Sequence, residues 1–295
     1  MQDLVNAVTL GSIYLLFALG MSLAWGTIGV LNFAHGSIFM FAAFTAYLVV
    51  RDIVVPMALM VVGGIVVGAV LSVLAQVLVF EPIQQGNSTK DRKELQVLVG
   101  GIGLAGIPLA IAQHITKSVP FGFSGSSFHV HVYELGPVRV SNVQVVILVA
   151  GLGLSALLAA WLHSSRNGLA LRSIGIDAEA ASMMGIDRRR IALATMAVAG
   201  GLAGLAGVLL IFYLGSIAPE SGESFLLKAF AAIVLGGVGS VVGAVAGAMI
   251  LAGAETLVVT HTSGMWVDAV SFGLIFAVLL LRPNGLFGRQ EVRRT

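Results

Sequence analysis

From Ile191 to Leu210 the chain reads IALATMAVAGGLAGLAGVLL, an uncharged run preceded by Arg188, Arg189 and Arg190, and seven comparable apolar blocks occur elsewhere among its 295 residues. A helix rises about 1.5 Å per residue, so blocks of about twenty residues match the roughly 30 Å hydrocarbon core of a bilayer. Within that core every backbone N–H and C=O must be satisfied internally, which leaves helices or a closed β-barrel. A barrel would show alternating segments of about ten residues, whereas these blocks are continuously apolar. The expected fold is all-α, a polytopic transmembrane helical bundle forming a single domain over residues 1–295.

Composition excludes a soluble protein: 58% of residues are hydrophobic and only 10% charged, with a mean hydropathy of +1.00, where a soluble domain carries about 25% charged residues. The 37 glycines suit membrane helices, which pack through small residues, as Gly239, Gly243 and Gly247 or Gly64 and Gly68 would allow. No cysteine is present, so disulfides, thiolate metal sites and cysteine nucleophiles are absent. The block Leu4 to Leu23 is longer than a signal-peptide core, lacks a basic flank before it and a small-residue cleavage signal after it, and reads as a membrane span. A pI of about 9.2 does not point to nucleic acid, because the basic residues lie between apolar blocks rather than on one soluble face.

The blocks run over about 4–25, 33–50, 58–80, 95–114, 143–162, 191–214, 229–259 and 266–281. Lys90, Arg92 and Lys93 mark loop 81–94, five arginines mark loop 163–190, and Arg282, Arg289, Arg293 and Arg294 mark the tail. Twelve of the sixteen basic residues sit in these three regions, which the positive-inside rule places in the cytoplasm, leaving loop 115–142 and the N-terminus outside. An outside start and an inside end require an odd number of crossings, so one of the eight blocks must turn back. Block 229–259 is too long for one span and contains Leu235-Gly236-Gly237-Val238-Gly239-Ser240, where a break is predicted. A second irregularity is Gly26 to Gly36, GTIGVLNFAHG, uncharged between blocks one and two and expected to dip into the membrane. Broken or re-entrant backbone at membrane depth survives only where protein covers it or it lines a watery path, and one such stretch in each half resembles transporters built from internal repeats.

The chain holds no phosphate-cradling G-x-x-x-x-G-K-[ST] segment and no G-x-S-x-G nucleophile elbow. His129 and His131 form a lone pair in a polar outer loop, so neither metal nor cofactor is expected. Asn32, His35, Glu255 and Asp268 are the unusual polar groups near hydrocarbon. Asn32 and His35 either satisfy the backbone of a broken helix or line a solute path. Glu255 either pairs with a hydroxyl such as Thr256 or Thr260 or lies at a water interface, and Asp268 is expected at the outer interface. In loop 163–190, Asp177 to Gly185 reads as a short helix, Asp177 capping its start and Gly185 ending it in a left-handed conformation. So short a helix needs a partner, and Met183 and Met184 offer an adaptable apolar surface for docking.

These residues resemble the permease subunits of branched-chain amino acid ABC importers. The resemblance runs through Thr9-Leu-Gly-Ser-Ile-Tyr14, Asn32-Phe-Ala-His-Gly36, Met184-Gly-Ile-Asp187 with Arg190-Ile-Ala-Leu193, Ala203-Gly-Leu-Ala-Gly-Val-Leu-Leu210, Lys228-Ala-Phe230, Val234-Leu-Gly-Gly-Val-Gly-Ser240 and Arg282-Pro-Asn-Gly-Leu-Phe287. It implies a bacterial inner-membrane permease that imports leucine, isoleucine or valine by alternating access, without covalent chemistry. The implied partners are a second permease subunit, identical or different, two cytoplasmic ATP-binding subunits and an extracytoplasmic solute-binding protein. Asn32, His35, Ser37, Gly236, Gly237 and Gly239 are then expected along the substrate pathway. Asp177, Glu179, Ala180, Ala181, Met184 and Gly185 are expected to form the coupling helix that docks on the ATPase. Ser37 stands where many relatives carry an acidic residue, Val242 where a proline is common, and Glu81-Pro-Ile-Gln84 where a Tyr-Arg-Pro run is usual. The same framework serves urea and short-amide permeases, and an ion-coupled secondary transporter using Glu255 or His35 is the rival from another class.

Overall fold

The computed structural model describes residues 1–29, 31–87, 89–123, 130–237, 239–262, 264–282 and 285–287. His129, Val238, the Pro283-Asn284 pair and the tail arginines Arg289, Arg293 and Arg294 lie outside the described residues. Among the described residues seven helices are long and apolar enough to cross a membrane. In chain order the elements are α1 (Gln2–Ile28), α2 (Ala34–Val50), α3 (Met57–Ala75), a π-helical turn (Gln76–Phe80), α4 (Glu81–Gln85) and α5 (Lys90–Thr116). A hairpin of β1 (Val132–Leu135) and β2 (Val138–Ser141) leads into α6 (Asn142–Ser164), α7 (Arg166–Ile176) and α8 (Ala178–Met183). The chain closes with α9 (Arg188–Leu214), α10 (Ser221–Gly236), α11 (Val241–His261), a short 3-10 turn and α12 (Val267–Leu281). A short hairpin, in which Val132 pairs with Ser141 and Leu135 with Val138 between α5 and α6, leaves the expected all-α class intact.

Both predicted breaks are present. At the first, α1 ends at Gly29, whose φ of 84° is a left-handed cap and whose N–H reaches Trp25 O at 2.8 Å. At the second, Gly237 and Gly239 take φ values of 102° and 80° between α10 and α11. The block expected at 229–259 is thus two helices, and the first of them starts at Ser221, eight residues before the apolar run, because Glu223 and Lys228 interrupt its hydropathy without interrupting its helix. Gly239 serves this turn, where an added Cβ would meet none of the described residues within 4 Å, whereas Gly243 and Gly247 press against Gly236 and Ala232.

The first break belongs to a repeat, its counterpart being the turn between α9 and α10. A constant offset of 186 positions carries α1 onto α9, Gly29 onto Gly215 (φ 86°) and Gly36 onto Gly222. The same offset matches Thr9 with Thr195, Phe39 with Phe225 and Phe44 with Phe230. The helices α2 and α10 meet at their first turns. A Cβ on Gly36 would stand 2.3 Å from Gly222 O and 3.1 Å from Leu226 Cβ, and one on Gly222 would stand 2.4 Å from Gly36 O and 3.2 Å from Met40 Cβ. That reciprocity places a pseudo-two-fold axis through the Gly36–Gly222 contact, with the Phe39 and Phe225 rings stacked beside it, centroids 5.1 Å apart.

The outer pairs obey the same axis: α3 runs against α9 as α11 runs against α1. Gly64 and Gly68 meet Gly204 and Gly200 so closely that a Cβ on Gly68 would lie 2.2 Å from Gly200 O. Gly11 meets Met249 and Ala252 in the counterpart pair. Backbone contact of this kind is how helices associate where lipid offers no hydrophobic drive. The central helices α1, α2 and α9 are buried, while α3, α5, α6 and α12 turn apolar faces such as Val62, Ile107, Val149 and Phe276 outward.

Candidate functional site

The first break places polar groups deep in the bundle. Asn32 Oδ1 accepts the Ala34 N–H at 3.0 Å, and Asn32 O accepts the His35 N–H at 3.1 Å, a side-chain turn that starts α2. Asn32 and His35 are buried, and among the described residues Asn32 Nδ2 and both His35 ring nitrogens find no hydrogen-bond partner. His35 stacks on Phe17, ring centroids 4.8 Å apart. Ser37 donates its hydroxyl to Ala105 O on α5 at 2.9 Å. Gly101, near the middle of the 27-residue α5, lies against Phe33 and Asn32, so the start of α2 sits well inside the span. These three predicted pathway residues are brought together, yet none faces open space: the bundle is closed over them.

The second break brings Gly236, Gly237 and Gly239 to the opposite end of α10. Ser240 Oγ accepts the Gly243 N–H at 3.0 Å and starts α11. The carbonyls that α10 leaves unpaired are met from the C-terminal segment, Leu286 N–H donating to Leu235 O and Phe287 N–H to Gly236 O, each at 2.9 Å. The predicted pathway residues therefore divide between two places, Asn32, His35 and Ser37 near the start of α10 and Gly236, Gly237 and Gly239 at its end.

Between the breaks lies a charged cluster that the sequence reading did not assemble. Glu255 on α11, only 2% exposed, accepts from Tyr14 Oη at 2.5 Å, from Lys228 Nζ at 3.1 Å and from Ser271 Oγ at 2.7 Å. Lys228 Nζ also donates to Tyr14 Oη at 3.2 Å and lies over the Tyr14 and Phe225 rings. Four helices thus meet at one carboxylate. A lone charge at this depth is costly, and each ion here is held by an opposite charge and by hydroxyls. The expectation that Glu255 pairs with Thr256 or Thr260 is corrected: Thr260 donates to Thr256 O and to Asp3, and the partners of Glu255 come from α1, α10 and α12. The available signal was Lys228, a lysine followed by an apolar run and therefore in need of a buried anion. Asp268 stands in the exposed first turn of α12.

On the loop side, Asp177 Oδ1 accepts the Glu179 and Ala180 N–H groups, both at 3.0 Å. Gly185, at φ 84°, closes the helix by donating to Ser182 O, while Ile186 donates to Ala181 O. The helix is shorter than the Asp177–Gly185 frame, six residues from Ala178 to Met183, because its caps occupy the flanks. Ala181 packs inward, Glu179 and Ala180 point out, and Met183 and Met184 are each 84% exposed. The base beneath it is pinned by Arg189 Nε to Glu81 Oε1 at 2.7 Å. Among the described residues no group of three His, Cys, Asp or Glu side chains could hold a metal.

Residues 4–279 match the family model described as branched-chain amino acid transport system / permease component. The chain is 32% identical to the high-affinity branched-chain amino acid transport system permease protein LivH of Escherichia coli, covering 100% of this chain and 97% of that one. It is 31% identical, over the same shares, to BraD of Pseudomonas aeruginosa, which carries the same description. A ribose import permease, RbsC of Escherichia coli, is 27% identical over 85% of this chain and 75% of its own. No solved structure matches. With the match running through all the membrane helices, the chain belongs to the branched-chain amino acid transport permease family.

Proposed function

We propose that the chain is one membrane-spanning subunit of an ATP-driven importer for leucine, isoleucine and valine, lodged in a bacterial inner membrane with its N-terminus outside and its C-terminus in the cytoplasm. The observation that carries this reading is the bare surface of α8. Met183 and Met184 stand exposed on a helix capped at both ends by its own residues, a form suited to docking on another protein. Asp177, Glu179, Ala180, Ala181, Met184 and Gly185 form that coupling element in the present reading, received by one of two ATP-binding subunits. A second permease subunit covers an apolar outer face, and a solute-binding protein delivers the amino acid from outside. The basic loops and the names carried by LivH and BraD support orientation and cargo respectively.

In this mechanism ATP-driven closure of the two ATPases moves α8, and the rigid α7–α9 base passes the displacement to the central bundle. The bundle is closed over Asn32, His35 and Ser37, so solute passes only when α2 and α10 shift about their glycine breaks at Gly29 and at Gly236, Gly237 and Gly239. The unpaired nitrogens of Asn32 and His35 then face the path and hydrogen-bond the moving solute or its water. Proteoliposomes holding the complete assembly test this: uptake of L-leucine should require internal ATP and the ATPase subunits. Uptake driven by an ion gradient without those subunits would replace the reading with the secondary-transporter one.

A further inference from the structure

Where α3 ends, the chain makes its π-helical turn and then the short α4, and this corner touches both α9 and α5. The Glu81 N–H donates to Gln76 O, an i→i+5 bond that adds one residue to the turn and brings Glu81 round to the start of α9. There Glu81 Oε1 accepts from Arg189 Nε at 2.7 Å and from Gln85 Nε2 at 3.0 Å. The acid is set into the corner, 14% exposed, and the arginine reaches it from the surface of α9, 64% exposed. On the other flank, Lys93 Nζ of α5 donates to Gln84 O at 2.8 Å. Gly100 of α5 lies so close that an added Cβ would stand 2.9 Å from Val79 Cγ1 and 3.3 Å from Ile83 Cδ1. Farther along, α5 closes over the polar turn, where Ser37 donates to Ala105 O and Gly101 lies against Phe33 and Asn32. A continuous run of contacts thus leads from the base of α8 through α4 to the helix that covers Asn32 and Ser37.

We propose that the Glu81–Arg189 pair is the joint that carries the ATPase-driven movement of α8 and α9 into α5, and so opens the bundle over Asn32 and Ser37. The proposal rests on the importer reading, in which α8 docks on an ATPase. Beyond the π-helical turn, α3 and α9 are locked backbone to backbone at Gly68 and Gly200, so the joint makes α3, α4 and α9 one body with α4 as its end. Moving α4 toward α5 pushes on Gly100 through Val79 and Ile83. Moving it away pulls on Lys93, since apolar contact is lost within a small gap whereas a charged hydrogen bond resists separation. The Ser37–Ala105 bond then makes α2 follow α5. Glu81 and Arg189 are positioning residues that touch no solute. A pair whose arginine is this exposed adds little to folding stability, so its loss reads out in coupling rather than in folding.

Proteoliposomes holding the complete assembly, with ATP inside, test the joint by the leucine moved per ATP hydrolysed. E81A and R189A should each lower that yield about tenfold, the size of an ordinary coupling free energy, while ATP hydrolysis and the melting temperature of the assembly stay near those of the unaltered chain. The reversed pair E81R/R189E should recover more than half of the yield. K93M should lower it in the same direction, and E81A/K93M should do no worse than E81A alone, because links in series are not independent. An unchanged yield in E81A or R189A, no recovery in the reversed pair, or a loss in E81A/K93M equal to the product of the single losses would each overturn the proposal. So would failure of the alanine variants and the reversed pair alike to assemble, which would make the contact structural. The unaltered assembly is measured alongside. ATP-driven uptake that the variants leave intact removes the joint alone, and absent uptake removes the importer reading.

Discussion

The two halves of the repeat share a backbone and differ in chemistry. In the first half, the start of α2 carries Asn32 and His35, neutral, buried and short of partners. In the second half the same offset places Ala218 and Ser221 at those positions. Conversely, Ala42 in the first half becomes Lys228 in the second, and the Tyr14 that meets Lys228 has Gly200 as its own counterpart. The glycines that set the geometry are retained, Gly29 with Gly215 and Gly36 with Gly222. Backbone contacts are constrained on both sides of the axis at once, because each of the crossing helices supplies the carbonyl that the other must clear. Side chains pointing away from the axis carry no such constraint, so one half holds a buried ion pair and the other a sealed polar turn.

Breaking the asymmetric ion pair should have the largest effect. K228M leaves Glu255 buried beside two hydroxyls without a cation and should cost about 3–5 kcal/mol. The double variant K228M/E255Q, in which an amide can still bond Tyr14 and Ser271, should recover more than half of that in detergent melting curves. A double variant no more stable than K228M would show that the pair is not coupled.

Disturbing the symmetric contact comes next. G36A and G222A should each cost about 1–3 kcal/mol through the clash with the opposite carbonyl. G63A, whose added Cβ would meet nothing within 4 Å, should stay within about 0.5 kcal/mol. Unequal costs at Gly36 and Gly222 would break the two-fold description of the crossing.

The smallest stability effects should fall where function is expected instead. H35L removes buried nitrogens that have no partner, so the melting temperature should hold or rise slightly while ATP-driven leucine uptake falls; unchanged uptake would reject a pathway role. D177A removes the two capping bonds of α8 at a cost of about 1 kcal/mol, confined to that helix. Hydrogen exchange should quicken there alone, and ATPase docking should weaken with it. Intact docking would separate the cap from coupling.

Much of this molecule is legible in the order of its residues. Apolar length marked the spans, glycine clusters marked both breaks, and Asp177 with Gly185 marked a small helix, since hydrocarbon thickness, positive φ and side-chain capping act within a few positions of chain. The repeat is harder to see: only scattered letters survive the 186-position offset, because inversion conserves a few backbone clearances rather than side chains. The start of α10 at Ser221 was hidden for a related reason, since Lys228 lowers local hydropathy although its charge is neutralised within the bundle. The meeting of Tyr14, Lys228, Glu255 and Ser271 and the burial of His35 were decided by tertiary structure alone. A charge becomes tolerable in the membrane only through partners brought from distant helices, and nothing local to Glu255 specifies which partners those are.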